Sequence, residues 1–239
     1  MITGGVLDAK VKGEPGVLRM PPELVRAACG EAHRLGYPVA AHVESPEGVR
    51  VALENSVDTI EHGAALDETL IELFQQRGAA HVCTISPAVP LAMMDPQVVG
   101  STEMTQYNGN VVFEGIVSCA KTALAHGIPV GLGTDAGCPF TTHYDMWREL
   151  QYFHKYVGVS RAFALHTATL KNAEILGIAQ KTGSVEAGKS ADLLVTDGDP
   201  LADLTCLRAP YMVVMAGRVF AQPRVKKYPL VEQELDKFL

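Results

Sequence analysis

Three residues with metal-binding side chains stand at the ends of short apolar runs. His42 and His62 each close such a run, and Asp135 follows the run Val130-Gly131-Leu132-Gly133-Thr134. Imidazole and carboxylate groups bind Zn²⁺ and similar divalent ions, and three protein ligands leave a coordination position for water. A metal-bound water with a pKa near roughly 7 is a nucleophile at neutral pH. Each residue alone is also compatible with a hydrogen-bonded strand end or a cap, but the three together favour a metal site.

The surrounding pattern predicts the elements that would bring these residues together. Helical segments alternate with short apolar runs, which is typical of a parallel α/β architecture, and the carboxyl ends of strands in a parallel barrel meet at one mouth. Strands are predicted at 39–42, 57–62, 82–86 and 130–134, and helices at 22–35, 46–54, 67–77, 112–126, 145–157 and 160–176.

Two further regions have different patterns. Between Pro87 and about Asn110 the periodicity fails, which indicates either a lid or substrate-binding loop or an insertion of short helices. After Gly177, short apolar runs joined by Gly, Pro and Asp predict a small β unit with strands at 191–196, 211–215 and 218–220. A short helix is predicted from Tyr228 onward.

Four motifs in order give the chain a family resemblance. They are His42, the run Asp58-Thr59-Ile60-Glu61-His62-Gly63, the run Gly133-Thr134-Asp135-Ala136-Gly137, and the tail from Gly183 to Val195. In these motifs the chain resembles the amidohydrolase superfamily, in its prolidase-like and imidazolonepropionase-like branch. The resemblance implies an α/β fold that is the C-terminal part of a TIM-barrel-like metal-dependent hydrolase, followed by strands of a small β-sandwich domain.

The resemblance also implies roles for individual residues. His42 and His62 would be metal ligands at the ends of barrel strands five and six. Asp135 would be the strand-eight aspartate that binds metal and shuttles the catalytic proton. His143 matches a position near substrate, so it is a candidate substrate-binding residue, with simple loop exposure as the alternative. The implied cofactor is zinc or another divalent metal, with one or two ions in the complete enzyme.

Two family features are absent from the sequence. No His-x-His pair is present, and the strand-four lysine should lie just before Met1, since Lys10 and Lys12 follow the Gly4-Gly5 pair. We therefore expect a truncated chain that lacks half of the barrel and half of the metal site. The expected domains are a partial barrel over 1–177, part of a composite β domain over 178–225, and a C-terminal tail over 226–239.

Composition excludes several other classes of function. The formal net charge of −7 and the lack of a long Lys/Arg cluster argue against nucleic-acid binding. No apolar stretch approaches the roughly 20 residues of a membrane span, so a cytoplasmic protein without membrane contact is expected. The five cysteines are irregularly spaced and odd in number, which favours reduced thiols over disulfides. Cys138 is interpreted as a small buried loop residue. An exposed sheet edge on a partial barrel favours self-association, so a homo-oligomer is among the expected partners.

The sequence therefore supports two hypotheses about function. The first is a metal-dependent hydrolase of C–N bonds in which Asp135 moves the proton. Its substrate would be small and dipeptide-like, as in the prolidase-like group, with cyclic amidines as in imidazolonepropionase as the alternative. The second hypothesis is a catalytically incompetent fragment that retains part of a metal site.

Overall fold

The computed structural model describes residues 1–239, which divide into two compact units, 1–130 and 131–239. The first unit is built around parallel strands β1 (Ala40–Val43), β2 (Thr59–His62) and β3 (Ala80–Cys83). These strands, with β4 (Val130–Leu132), form one sheet in the order β1-β2-β3-β4. The chain is thus an α/β protein with a parallel sheet, as the sequence predicts. The predicted domain division at 177 is a separate matter and stays a prediction.

Six helices accompany the first three strands, and most begin or end where the sequence predicts. They are α1 (Pro22–Arg34), α2 (Pro46–Glu54), α3 (Glu68–Arg77), α4 (Ile85–Met93), α5 (Pro96–Val99) and α6 (Glu103–Ala125). The side chain of Ser45 caps α2 and that of Asp67 caps α3, each by accepting a backbone N–H three residues on. Gly78 ends α3 with a φ of 68°, a left-handed conformation that glycine adopts without strain.

The predicted loop between 87 and 110 is helical instead. Strand β3 ends at Cys83, and α4 begins at Ile85, so the strand predicted at 82–86 lies too late in the sequence. Residues Ile85 to Ala92 are all buried. A helix that is buried on every side lacks the regular spacing of apolar and polar residues from which an amphipathic helix is predicted. Helix α6 begins at Glu103, nine residues before the predicted start, with Thr102 as its cap. The short-helix alternative is therefore the one that the structure shows.

The second unit contains helices and a small antiparallel sheet. Its helices are α7 (Met146–Tyr152), α8 (Arg161–His166), α9 (Asn172–Ile175) and α10 (Pro229–Leu235), with π-helical turns at 153–157 and 167–171. Strands β5 (Leu193–Val195), β6 (Met212–Met215) and β7 (Arg218–Ala221) follow the order β5-β6-β7. All three lie within the predicted runs or one residue beyond, and α10 confirms the predicted terminal helix.

A buried ion network joins α7 to α10 in this unit. The guanidinium of Arg148 lies 2.6 Å from Asp236, 3.2 Å from Glu232 and 3.3 Å from Asp145. Arg208 forms ion pairs with two of these carboxylates, at 2.5 Å to Glu232 in α10 and at 2.9 Å to Asp236 directly after α10. Burial acts to raise the pKa of Glu232, but the hydrogen bond from Arg208 and the charge of Arg148 outweigh it and lower that pKa.

Candidate metal centre

Two imidazole rings meet at the carboxyl ends of β1 and β2. The ring centroids of His42 and His62 are 4.6 Å apart in an edge-to-face arrangement. In the parallel register His42 pairs with Glu61, and Val43 pairs with His62. Paired residues face the same side of a sheet and successive residues alternate, so regular strands would place His62 on the side of Val43, away from His42.

A turn of the backbone at His62 resolves this conflict. His62 has a φ of 70°, whereas a parallel strand has a φ of about −120°. The difference rotates the Cα–Cβ bond by about half a turn around N–Cα, so the ring can lie against that of His42. Gly63 follows with a φ of 84° and donates its N–H to the Val43 carbonyl at 2.9 Å. Pattern alone cannot reveal such a turn, because a non-glycine residue with positive φ is uncommon.

Two buried neighbours hold His62 in this conformation. The Thr84 hydroxyl lies 2.7 Å from His62 Nδ1, and the His81 ring nitrogen Nε2 lies 2.8 Å from the His62 carbonyl oxygen. Burial lowers the pKa of His81 to about 4, so its ring is neutral at physiological pH and donates an N–H to that carbonyl. When the hydrogen of the His62 ring is on Nδ1, the Nε2 lone pair is available to a metal. A partner that bonds the other ring nitrogen of a ligand histidine, as Thr84 does here, usually fixes this tautomer.

The position of His81 differs from the one that its sequence context suggests. The strand predicted at 82–86 begins directly after His81, which places His81 before that strand and not at its carboxyl end. His81 lies within β3, is fully buried, and supports the carbonyl of His62. The predicted position before the strand is wrong, because β3 starts at Ala80, two residues before the predicted start.

A carboxylate completes a group with the two histidines. Ligand atoms of His42, Glu44 and His62 all lie within 4.8 Å of one another. Zn–N and Zn–O bonds of about 2.0–2.2 Å place tetrahedral ligands roughly 3.3 Å apart, so small side-chain rotations bring this group to coordination distance. A methyl group on Gly5 would lie 3.4 Å from Glu44 Oε2 and 3.6 Å from His42 Nε2, so Gly5 borders the space next to these two ligand atoms. The donor set and the space both fit a divalent ion.

Sequence reasoning missed Glu44. The available signal is the spacing His42-x-Glu44, because residues two apart on an extended chain face the same side. That signal is weak by itself, since Glu44 follows the last residue of β1 and precedes the cap of α2. The structure identifies it by proximity to His62, which is distant in sequence.

Asp135 lies in the second unit, on a tight loop after β4. Its φ is 52°, its side chain is exposed, and Cys138 donates its S–H to Asp135 Oδ2 at 3.0 Å. The loop is closed by bonds from Thr141 N–H to the Cys138 carbonyl at 2.9 Å and from Gly137 N–H to the Thr141 carbonyl at 3.1 Å. The roles of Asp135 as metal ligand and proton shuttle stay predictions.

Two other residues of this loop were singled out from the sequence. Cys138 is half-buried rather than fully packed, and its thiol contacts the Asp135 carboxylate, which the interpretation as a small buried loop residue did not foresee. His143 is exposed in the segment before α7, and its role in substrate binding stays a prediction.

Comparison with known proteins identifies the family. Residues 2–220 match the Amidohydrolase family. The chain belongs to this family. Ochratoxinase from Aspergillus niger is 25% identical over 229 residues, a match that covers 94% of this chain and 46% of the relative. The family assignment predicted from His42, the His62 run, the Asp135 run and the tail is thus confirmed.

Solved structures of amidohydrolases share the fold. A Bifidobacterium longum protein with a provisional prolidase assignment is 42% identical with a TM-score of 0.92, over 99% of this chain and 58% of that one. A Xaa-Pro dipeptidase crystallised with methionine in its active site is 30% identical with a TM-score of 0.80, over 92% of this chain and 53% of that one. The parallel sheet with its helices therefore corresponds to part of a TIM-barrel-like fold, and the small antiparallel sheet accompanies it.

The relatives are longer than this chain. The chain spans about half of their length, 46% of the ochratoxinase and 58% of the Bifidobacterium protein. Both relatives therefore contain a large segment that has no counterpart in the 239 residues.

Among the helices of the structure, none has the length and apolar character needed to cross a bilayer.

Proposed function

We propose that the chain is the metal-binding part of a hydrolase that cleaves C–N bonds in dipeptide-like substrates, as a prolidase does. The observation that carries this proposal is the convergence of His42 and His62 at adjacent strand ends, with a carboxylate within 4.8 Å. Family membership and the relatives named for prolidase and Xaa-Pro dipeptidase activity support the substrate class.

His42 and His62 would hold a divalent ion, with zinc as the first candidate because it accepts imidazole and carboxylate ligands. Such an ion, when bound, polarises a substrate carbonyl and lowers the pKa of water to roughly 7. Thr84 and His81 fix the His62 ring and backbone, so the orientation of this one donor is set before an ion arrives.

Asp135 would serve as the general base and then the general acid. In this role its carboxylate accepts a proton from water and delivers it to the leaving nitrogen of the substrate. The contact from the Cys138 thiol to Oδ2 restrains the carboxylate, so Oδ1 is the oxygen that we assign to proton transfer. His143, exposed on the same loop, would contact the substrate. A cytoplasmic location is part of the proposal, supported by five cysteines that all carry free thiols.

A second candidate is a metal-binding remnant without turnover. The observation that favours it is that the chain spans about half of its relatives' length. Both candidates bind metal, but only the first one hydrolyses substrate.

The test separates metal binding from turnover. The chain is freed of metal by a chelator and reloaded with Zn²⁺. It is then assayed with Xaa-Pro and other dipeptides, N-acyl amino acids and imidazolone propionate. The first candidate predicts hydrolysis of dipeptides or N-acyl amino acids that disappears in the apoprotein and in Asp135→Asn. The matched control Asp67→Asn should keep full activity, because asparagine caps α3 as well as aspartate does.

Each alternative result has a clear meaning. Metal binding without hydrolysis of any substrate supports the remnant. Activity on imidazolone propionate alone moves the substrate class to cyclic amidines. Hydrolysis that survives complete removal of metal refutes both candidates.

A further inference from the structure

We propose that Glu44 is a metal ligand, so that His42, Glu44 and His62 form a three-ligand site contained within the first unit. This inference rests on the metal dependence proposed above and adds a ligand that neither the motifs nor the family resemblance assigns. It also specifies the chemistry of the site as two neutral imidazoles and one carboxylate, a set suited to Zn²⁺ or a similar divalent ion with an open position.

The first argument is the path of the chain. His42 and Glu44 are two residues apart at the end of β1, and the residue between them, Val43, pairs with His62. The His62 ring reaches His42 only because of its φ of 70°. One left-handed residue therefore brings three donor groups from two strands to one point, which a regular pair of strands would not do.

The second argument is that the backbone around Glu44 is fixed by specific contacts. The Glu44 N–H donates to the Thr3 hydroxyl at 3.0 Å, and Thr3 is itself fully buried. The Ile2 N–H donates to the His42 carbonyl at 3.2 Å. A methyl group on Gly16 would lie 2.4 Å from the Glu44 carbonyl carbon and oxygen, so only glycine permits this approach. The amino-terminal segment thus holds Glu44 in place next to the histidines.

The third argument comes from the neighbouring glutamates. Glu61 pairs with His42 in the sheet, yet its carboxylate accepts a hydrogen bond from Thr59 at 2.6 Å, and it is not a member of the ligand group. Glu47, three residues after Glu44, is exposed in the first turn of α2. Glu44 is half-buried and lies with the two imidazoles. Position rather than composition therefore distinguishes Glu44 from the other two.

The experiment measures metal binding directly, without an activity assay. The full 239-residue chain is titrated with Zn²⁺ in competition with a chromophoric chelator, and with Co²⁺ followed by its visible absorption. Variants Glu44→Gln, Glu47→Gln and Glu61→Gln are compared with the wild type and with His42→Gln and His62→Gln. Thermal unfolding of each apoprotein verifies folding, and Glu44→Asp provides a second variant that keeps the carboxylate.

We expect Glu44→Gln to weaken Zn²⁺ binding by at least about 10–100-fold, since loss even of an outer partner of a ligand costs that much. The Co²⁺ spectrum should change in shape as a carboxylate is lost, and Glu44→Asp should keep part of the affinity. Glu47→Gln and Glu61→Gln should bind as the wild type does.

Two failures are distinguishable. Wild-type affinity and spectrum in Glu44→Gln, with binding lost in the histidine variants, would overturn the role of Glu44 and leave the metal centre standing. Wild-type affinity in the histidine variants as well, or no binding by the wild type, would overturn the metal centre and this inference together.

Discussion

His62 and Arg148 are both almost fully buried polar side chains, with 5% and 1% of their surface exposed, but they are held by different interactions. His62, in the first unit, is contacted by two uncharged neighbours: the His81 ring bonds its backbone carbonyl, and the Thr84 hydroxyl bonds its ring nitrogen Nδ1. Arg148, in the second unit, is fixed by three carboxylates. Removal of one uncharged hydrogen-bonding partner costs a modest amount of stability. Removal of the partner of a buried charge costs much more, because the remaining charge is left in the interior without compensation.

The largest effect should come from disrupting the buried ion network around Arg148. Arg148→Met removes the guanidinium from Asp145, Glu232 and Asp236 and leaves carboxylates in a largely buried environment. We expect the free energy of unfolding to fall by about 3–5 kcal/mol, measured by urea denaturation. The control Lys171→Met disrupts the solvent-accessible pair Lys171–Glu174 and should cost about 1 kcal/mol or less. Similar losses in both variants would remove the contrast between buried and surface charge.

The next effect should come from the tight backbone at His62. In Gly63→Ala a new methyl group would lie 2.9 Å from Cys119 Sγ and 3.1 Å from His81 Nε2, at a φ of 84°. We expect a loss of about 2–4 kcal/mol in the free energy of unfolding from left-handed strain and overpacking. Gly78→Ala, at a φ of 68° with no neighbour within 4 Å, should lose only the strain of about 1–2 kcal/mol. Equal losses would show that the packing around Gly63 is not restrictive.

A smaller effect should follow from loosening the His62 ring alone. Thr84→Val removes the hydroxyl next to His62 Nδ1 and keeps the volume of the side chain. We expect Zn²⁺ affinity to fall by about 10-fold, toward the lower end of the range for outer partners of ligands, with unfolding little affected. Thr84→Ser keeps the hydroxyl and should bind Zn²⁺ nearly as the wild type does. If serine and valine weaken binding equally, the hydrogen bond does not position the ring.

The smallest effect should be the loss of stability at low pH from the carboxylates of the Arg148 ion network. Burial acts to raise the pKa values of Glu232 and Asp236, but bonds to Arg208 and Arg148 outweigh it and lower both. A carboxyl group with a lowered folded-state pKa stabilises the fold above its unfolded pKa, and the stabilisation is lost as the pH falls through the folded value. We expect about 1 kcal/mol of stability to disappear below pH 4.5, the ordinary value for glutamate. Glu232→Gln should flatten this part of the stability profile, and an unchanged profile would contradict the assignment.

The sequence predicts most elements of the first unit because their boundaries carry local signals. Ser45 and Asp67 cap helices, Gly78 ends one, and apolar runs end in His42 and His62. Such signals depend only on neighbours within a few residues, so the helix and strand ends that they predict are found in the structure. The β5-β6-β7 sheet follows in the same way from its apolar runs and from the Ala216-Gly217 turn, where both residues have positive φ.

The elements that sequence reasoning missed depend on distant contacts. Pro87, Pro90 and Gly109 suggest a loop, yet Pro87 lies in the first turn of α4, where proline is tolerated. A methyl group on Gly109 would lie 2.7 Å from the backbone of Leu91, so this glycine lets α6 pack against α4 and does not break the helix. Glu44 was missed for a related reason, because its relation to His62 depends on the register of two strands and on one unusual φ.

The position of Trp147 gives the second unit its own optical reporter. It is the sole tryptophan of the chain, buried in α7, with the guanidinium carbons of Arg148 and Arg208 at 4.5 Å and 5.3 Å from its ring. Cations this close to an indole alter its emission, and they depart when the charged network opens. Intrinsic fluorescence therefore follows the unfolding of residues 131–239, while far-ultraviolet circular dichroism follows both units. A difference between the two transitions would measure how independently residues 1–130 unfold.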